Sequence, residues 1–135
     1  MDSTEAVSIG NQAATKVKDK IDCAALIDEY TPLLSAGLEV SEHVATEKPL
    51  YLRQNCETII KVSDRLIAEH PEMVSTDIIK MLRGSAEDII GVIDLARKQG
   101  KPIPYESLSR EGTHLEMLAL EAMILDTARC VCQER

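Results

Sequence analysis

Aliphatic side chains recur every three or four residues along most of this chain, and that spacing constrains its fold more than any other feature. Apolar and polar residues hardly ever alternate as they do in strands. A chain of 135 residues suits one domain, which we place at residues 1–135. We therefore predict an all-α fold, an antiparallel up-and-down bundle of four or five helices. The most regular row is Ile78, Ile79, Leu82, Ala86, Ile89, Ile90, Ile93 and Ala96.

Prolines divide the first half of the chain, because a proline favours the first turn of a helix and the residue before it avoids helical geometry. They predict helices over about residues 4–30, from Pro32 to about Glu47, and over residues 49–69. Whether the first two are one kinked helix stays open at this point. The apolar positions of the first segment at helical spacing are Val7, Ala14, Val17, Ile21, Ala24 or Ala25, and Ile27.

Capping residues divide the second half. Ser75 predicts the N-cap of the next helix, Gly100 its C-terminal end, and Ser107 the N-cap of a last helix. The residues between Gly100 and Ser107 contain two prolines and predict an extended connector. The last helix is predicted to face inward with Leu108, Leu115, Leu118, Ala122, Leu125, Ala128 and Val131 or Cys132.

The charge excludes several classes of partner. Fifteen Lys and Arg against 23 Asp and Glu give a formal charge of −8, which argues against nucleic acid and anionic membranes as general partners. The sequence has no apolar run of about 18 residues and opens with no basic and apolar leader. We therefore expect no membrane span and a cytoplasmic location.

Cysteines and histidines give weak signals for a metal site. We expect all four cysteines to be reduced, as is usual in the cytoplasm. Cys130 and Cys132 point about 200° apart on a helix and cannot share one ion. Glu111 and His114 have the ExxH spacing of di-iron bundles, but no second ExxH accompanies them. The six glycines are scattered and no nucleophile elbow occurs, so we expect no metal, no cofactor and no enzymatic activity.

Charge is distributed unevenly, with a net of −6 over residues 1–47, +1 over 48–101 and −3 over 102–135. Lys61 and Arg65 lie one turn apart, as do Lys80 and Arg83. If their helices are neighbours, these four could form one basic patch for an acidic peptide. The alternative, which we favour, is a solvated face of ion pairs such as Glu57 with Lys61.

Two helices carry more apolar residues than one core-facing row needs. Such a wide arc is expected for a helix packed between several neighbours, and also for a surface that binds a partner helix. We favour the core over the partner surface. The additional residues are Met81, Val92 and Leu95 in one helix and Met117, Leu120, Met123 and Ile124 in the last.

Two stretches, from Ser75 to Lys98 and from Leu108 to Cys132, resemble the helix pairs of vinculin, α-catenin and talin-rod bundles. Residues 88–97 also resemble the end of a focal-adhesion-targeting bundle, as do Glu29, Tyr30 and Pro32 with Gly37 and Leu38. The resemblance covers about half of the chain, and a full helix follows Arg97 here where that bundle ends. It implies a non-enzymatic scaffold that binds amphipathic helices, acidic peptides or actin.

We therefore expect a cytoplasmic adaptor, linked to the cytoskeleton or to adhesion, that binds an amphipathic helix or acidic peptide of a protein partner. The alternative is a self-associating structural or regulatory protein, in which the additional apolar arc closes a homodimer. The expected partner-binding residues are Lys61, Arg65, Lys80, Met81, Arg83 and Leu95.

Overall fold

The computed structural model describes the backbone of residues 3–71 and 73–133, and the side chains of residues 23–71 and 73–133. Its helices are α1 (Ser3–Ala45), α2 (Pro49–Glu69), α3 (Thr76–Gln99) and α4 (Tyr105–Gln133). No strand occurs in these ranges, so the all-α prediction is confirmed. The apolar positions predicted at Val7, Ala14, Val17 and Ile21 lie outside the described side chains. Those predicted at Ala24 or Ala25 and at Ile27 are exposed, because the core on this part of α1 is formed by Cys23 and Tyr30.

The four helices form a closed ring of neighbours. α1 packs against α2, α2 against α3, α3 against α4, and α4 against α1, whereas the diagonal pairs do not touch in the described residues. Short connections between successive helices make neighbours antiparallel, which is the up-and-down arrangement. Residues 3–71 and 73–133 therefore form four helices, the lower of the two numbers predicted.

The break predicted at Thr31 and Pro32 is wrong, because α1 continues through both residues. Proline inside a helix removes one backbone hydrogen bond and normally costs about 3 kcal/mol. Here Pro32 is exposed, while Tyr30 and Leu33 on either side are fully buried in the same core. The burial of these two large side chains keeps both halves of α1 packed against the same core.

The core is aliphatic, as the spacing predicts. Gly112 of α4 allows α1 to approach closely, because a Cβ at this position would lie 3.1 Å from Cγ1 of Val40. The largest fully buried side chains come from all four helices: Tyr30, Leu33, Val40, Leu52, Cys56, Ile59, Leu66, Ile79, Leu82, Ile89, Ile93 and Leu115.

Two helices end in the same hydrogen-bonded motif at one end of the bundle. After α3, the Gly100 N–H donates to the Arg97 carbonyl and the Lys101 N–H to the Ala96 carbonyl, with Gly100 left-handed at φ 65°. This is a Schellman motif and confirms Gly100 as the predicted end. Glu47 takes the same position after α1, with φ 54°.

The two ends of α4 differ from the sequence prediction. The helix begins at Tyr105, two residues before the predicted N-cap Ser107. Leu108, Leu115, Leu118 and Ala122 are buried, but the later positions predicted inward, Leu125, Ala128, Val131 and Cys132, are exposed. Beyond Asp126, which bonds to the first residues of α3, α4 extends past the α2–α3 loop, so these side chains have fewer neighbours to cover them.

The prediction that all four cysteines are reduced is wrong for two of them. Cys23 of α1 and Cys130 of α4 form a disulfide across a sequence separation of 107 residues. Their Cα atoms lie 5.7 Å apart, because α1 and α4 are neighbours in the ring. Cys56 is a buried free thiol, and Cys132 is an exposed one.

Candidate functional site

The basic residues predicted to bind a partner lie on two neighbouring helices. Lys61 and Arg65 are exposed on α2, and Lys80 is exposed on α3. None of the three has an ion pair among the described side chains. The helices are neighbours, as the predicted basic patch requires.

Arg83 differs from the other three bases because its charge is already paired. Its Nε donates to Oδ1 of Asp64 across the α2–α3 interface at 2.5 Å, and it also pairs with Glu87 one turn later on α3. A partner would have to compete with these two carboxylates. Arg83 therefore contributes little to a basic surface.

A second ion-pair cluster joins α2 and α3 closer to the start of α2 and the end of α3. Arg53 donates to both carboxylate oxygens of Asp94, at 2.9 and 3.0 Å, and also to Glu57. The hydrogen bond from Arg53 lowers the pKa of Asp94. Glu57 thus pairs with Arg53, so the predicted pair of Glu57 with Lys61 is not formed. The α2–α3 interface is a solvated, ion-paired face around a few unpaired bases.

Met81 and Leu95 of α3 are 56% and 54% exposed, as expected for partner-binding residues. Met81 lies one turn before Ser85, whose hydroxyl donates to Glu111 of α4 at 2.9 Å. It is therefore on the α4 side of α3, whereas Arg83 faces α2. Between Met81 and Leu95 the outward positions are polar or glycine, so these two residues form no continuous apolar row.

An exposed apolar row lies on α4, with the polar Thr127 between its last two members. Met117, Leu120, Ile124 and Val131 are between 39% and 65% exposed, and we call these four residues the α4 stripe. Their spacing of three, four and seven residues follows a heptad repeat, so they lie on one face over about 21 Å. Met123 is half-buried against the core, as is Val92 of α3. The additional apolar residues identified in the sequence therefore belong partly to the core and partly to the exposed surface.

A polar cluster that the sequence did not indicate links α1 and α2. The buried Asn55 accepts a hydrogen bond from Nδ1 of His43 and donates one to Glu39, both at 2.6 Å. The His43 ring stacks on the exposed Tyr51 with centroids 5.4 Å apart. These bonds fix His43 in the tautomer that carries hydrogen on Nδ1.

The buried carboxylate of Asp126 joins three elements at the opposite end of the bundle. It accepts a bond from the Ser75 N–H at 3.1 Å and further bonds from the hydroxyls of Ser75 and Tyr30. Burial, and then the hydrogen bond to Asp126, raises the pKa of Tyr30. Ser75 precedes α3 as predicted, but its hydroxyl bonds to Asp126 and makes no side-chain cap to α3. We call Tyr30, Ser75 and Asp126 the Asp126 cluster.

One group of side chains has the composition of a metal site. Nε2 of His70 lies 2.7 Å from Oε2 of Glu29, and a carboxylate oxygen of Glu69 completes a set of ligand atoms within 4.8 Å of one another. No sequence motif predicts this set, because Glu29 and His70 are 41 positions apart. Glu111 of the ExxH pair instead accepts the Ser85 bond, and His114 is exposed.

Comparisons of the chain with protein families, with curated proteins and with solved structures gave no match. The resemblance to vinculin-like bundles therefore stays an expectation. None of the helices, over their described residues, is apolar for long enough to cross a bilayer.

Proposed function

We propose that this chain is a non-enzymatic adaptor that binds an amphipathic helix of a protein partner along the α4 stripe. The observation that carries the proposal is the row of four exposed apolar side chains at heptad spacing on a bundle whose core is already filled. The cytoskeletal or adhesion role implied by the vinculin-like resemblance belongs to the same proposal.

The heptad spacing favours a helix as the occupant. An exposed apolar row with this repeat matches the row of a second helix that packs along it. Apolar contacts would supply most of the affinity, with Leu120 and Ile124 at the centre of the row.

The charge of the chain favours a different protein over a second copy. Two copies that met at this face would bring together two chains of formal charge −8, which opposes association. Glu116 and Glu121 also flank the stripe on α4, so a bound helix with basic flanks is complementary. The acidic peptide of the sequence prediction would instead need Lys61, Arg65 and Lys80 on the other side of the molecule.

The cytoplasmic location stays part of the proposal, and the disulfide bears on it. Disulfides persist mainly in oxidising compartments, whereas cytoplasmic thiols are kept reduced. Alkylation of the protein in cells, followed by mass analysis of Cys23 and Cys130, decides the point. Alkylated Cys23 and Cys130 support the cytoplasm, and an intact disulfide contradicts it.

A photo-crosslinking residue placed at Leu120 tests the docking surface. We expect it to capture one partner through a segment with apolar residues spaced three and four apart, and the same residue at Lys61 to capture none. Capture from Lys61 alone would contradict the α4 stripe, and capture of a second copy would establish self-association instead.

A peptide with the captured sequence then tests the interaction directly by fluorescence anisotropy. We expect the L120E/I124E variant to lose binding and the K61E/R65E variant to keep it. L38E is the control, because Leu38 is an exposed leucine on α1 that lies outside the α4 stripe. Equal loss in L38E, or loss in K61E/R65E alone, would overturn the assignment of this surface.

A further inference from the structure

The Glu29, Glu69 and His70 group lies where the end of α2 meets α1. His70 follows α2 directly, and its backbone N–H donates to the Leu66 carbonyl at 2.9 Å. Its own carbonyl accepts a bond from the Met73 N–H, so the backbone of His70 is held on both sides. Glu29 comes from α1 and Glu69 from the last residue of α2. The imidazole is therefore positioned by the fold with one carboxylate from each helix beside it.

Among the described side chains, no lysine or arginine balances the carboxylates of this group. Glu29 pairs with His70, and Glu69 has no hydrogen bond partner in the same part of the chain. Metal binding requires the unprotonated imidazole, and two carboxylates with an imidazole in that form carry a charge of −2. A divalent cation would neutralise this charge.

We propose that Glu29, Glu69 and His70 bind one divalent transition-metal ion. Imidazole and carboxylate together suit zinc and its first-row neighbours, whereas calcium and magnesium prefer oxygen ligands alone. Zinc is bound at about 2.0–2.2 Å by both ligand types, so its ligand atoms lie roughly 3.3 Å apart in a tetrahedral site. Side-chain rotations of Glu29 and Glu69, both at the surface of the bundle, supply the adjustment from the present distances. Water completes the coordination.

This site differs from the metal signals considered in the sequence. The ExxH pair places Glu111 and His114 on one helix, whereas the proposed ligands come from two helices. Bound metal would therefore join the end of α2 to α1 and stabilise the folded chain by mass action. The proposal does not depend on the docking function of α4.

Calorimetric titration of the full chain with zinc chloride, without reductant and without an affinity tag, tests the proposal. We expect one saturable site, together with a rise in the melting temperature at saturating zinc. The E69Q and H70N variants should bind at least about tenfold more weakly, since loss of even an outer-shell partner costs about 10- to 100-fold. E69Q is the most informative variant, because Glu69 is exposed and has no hydrogen bond among the described residues whose loss could unfold the chain.

Two control variants separate this site from other zinc ligands. H114N removes an exposed histidine with a glutamate three residues before it, and C132S removes the exposed free thiol. We expect both to bind zinc as the wild type does. No saturable binding by the wild type, or binding that is lost in H114N or C132S and kept in E69Q and H70N, would overturn the proposal.

Discussion

The two ends of the bundle are held together by different chemistry. One end contains the loop between α2 and α3, and we call it the α2–α3 end. Residues that are far apart in sequence are joined there by the Asp126 cluster, the Cys23–Cys130 disulfide and the Glu29–His70 pair.

At the opposite end, residues 46–48 and 100–104 connect the helices, and the backbone bonds there are local and include two Schellman motifs. Links between helices at this end include the partly buried bonds of Asn55 to His43 and Glu39 and the exposed Arg53–Asp94 pair. The comparison shows that the covalent link and the buried carboxylate lie where α1 and α4 extend beyond the other two helices, whereas the opposite end is joined by side-chain bonds that are partly buried or exposed.

Reduction of the disulfide should have the largest effect on stability. The bond closes a loop of more than 100 residues, and cross-links of this kind typically contribute about 2–5 kcal/mol by restricting the unfolded chain. Urea unfolding with and without reductant measures the difference. The C132S variant, which keeps the disulfide, should show the same loss on reduction. Equal midpoints in both conditions would show that the α2–α3 end does not depend on this link.

Substitution of Asp126 by alanine should cost about 3 kcal/mol. It leaves the Ser75 N–H and the hydroxyls of Ser75 and Tyr30 buried without their acceptor. Urea unfolding measures the loss. Asp94→Ala is the control, because this carboxylate also accepts several hydrogen bonds but is exposed, and its loss should cost much less. Similar losses in the two variants would contradict the special role of the buried cluster.

Alkaline solution should weaken the α2–α3 end through Tyr30. Because burial raises the pKa of Tyr30 in the folded chain, this phenol stays protonated at pH values where the unfolded chain ionises. Its contribution is complete below about pH 10 and is then lost at up to about 1.4 kcal/mol per pH unit as the pH rises. Urea unfolding measured from about pH 9 to about pH 11, around the ordinary pKa of tyrosine, gives the slope of the unfolding free energy against pH.

Phenylalanine variants identify the source of that slope. Y30F should flatten it, whereas Y105F should change it less, because Tyr105 at the opposite end has a raised pKa but is only half-buried. The buried thiol of Cys56, with its pKa raised to about 12 by burial, adds a separate loss that both variants keep. A slope that is unchanged in Y30F would contradict the assignment to Tyr30.

At the opposite end, Gly100→Ala should destabilise the chain by about 1 kcal/mol. Gly100 has a left-handed backbone, which alanine adopts at a cost although no atom lies within 4 Å of the added Cβ. Gly84→Ala is the control, because Gly84 lies inside α3 with equally open surroundings, and alanine there should stabilise the helix. Thermal unfolding of both variants shows whether each substitution raises or lowers the stability. If Gly100→Ala stabilised the chain, the left-handed backbone of the Schellman motif would not require glycine at this position.

Glu47→Gly should have the smallest effect and the opposite sign, a stabilisation of about 0.5 kcal/mol. Glycine relieves the cost of the left-handed conformation but increases the freedom of the unfolded chain, and these two effects nearly cancel. Urea unfolding of the Glu47→Gly and Gly100→Ala variants, measured under the same conditions, compares the two changes in stability. A loss as large as that of Gly100→Ala would mean that the Glu47 side chain has a stabilising contact of its own.

What the sequence could predict follows the same division between local and long-range effects. The bounds of α2 and the end of α3 at Gly100 were predictable, because proline and glycine act on the backbone next to them. The continuation of α1 through Pro32 was not, because it depends on the burial of Tyr30 and Leu33 by other helices.

The candidate site was predictable in part. Spacing identified Met117, Leu120 and Ile124 as additional apolar residues, but not which of them the core would leave exposed. The disulfide and the Glu29–His70 pair join residues more than 40 positions apart, so only the packing of the helices brings them together.

The disulfide also determines how the molecule responds to mechanical load. Cys130 lies near the described end of α4 and Cys23 lies inside α1, so the loop that the bond closes contains α2, α3 and the parts of α1 and α4 between these cysteines. A pulling force applied before Cys23 and after Cys130 would pass through the sulfur–sulfur bond, so this part of the core would bear almost no tension. Under oxidising conditions the α4 surface up to Ile124 would thus stay intact under load. Under reducing conditions the same force would peel α1 from α4, because it acts at the same end of two antiparallel helices.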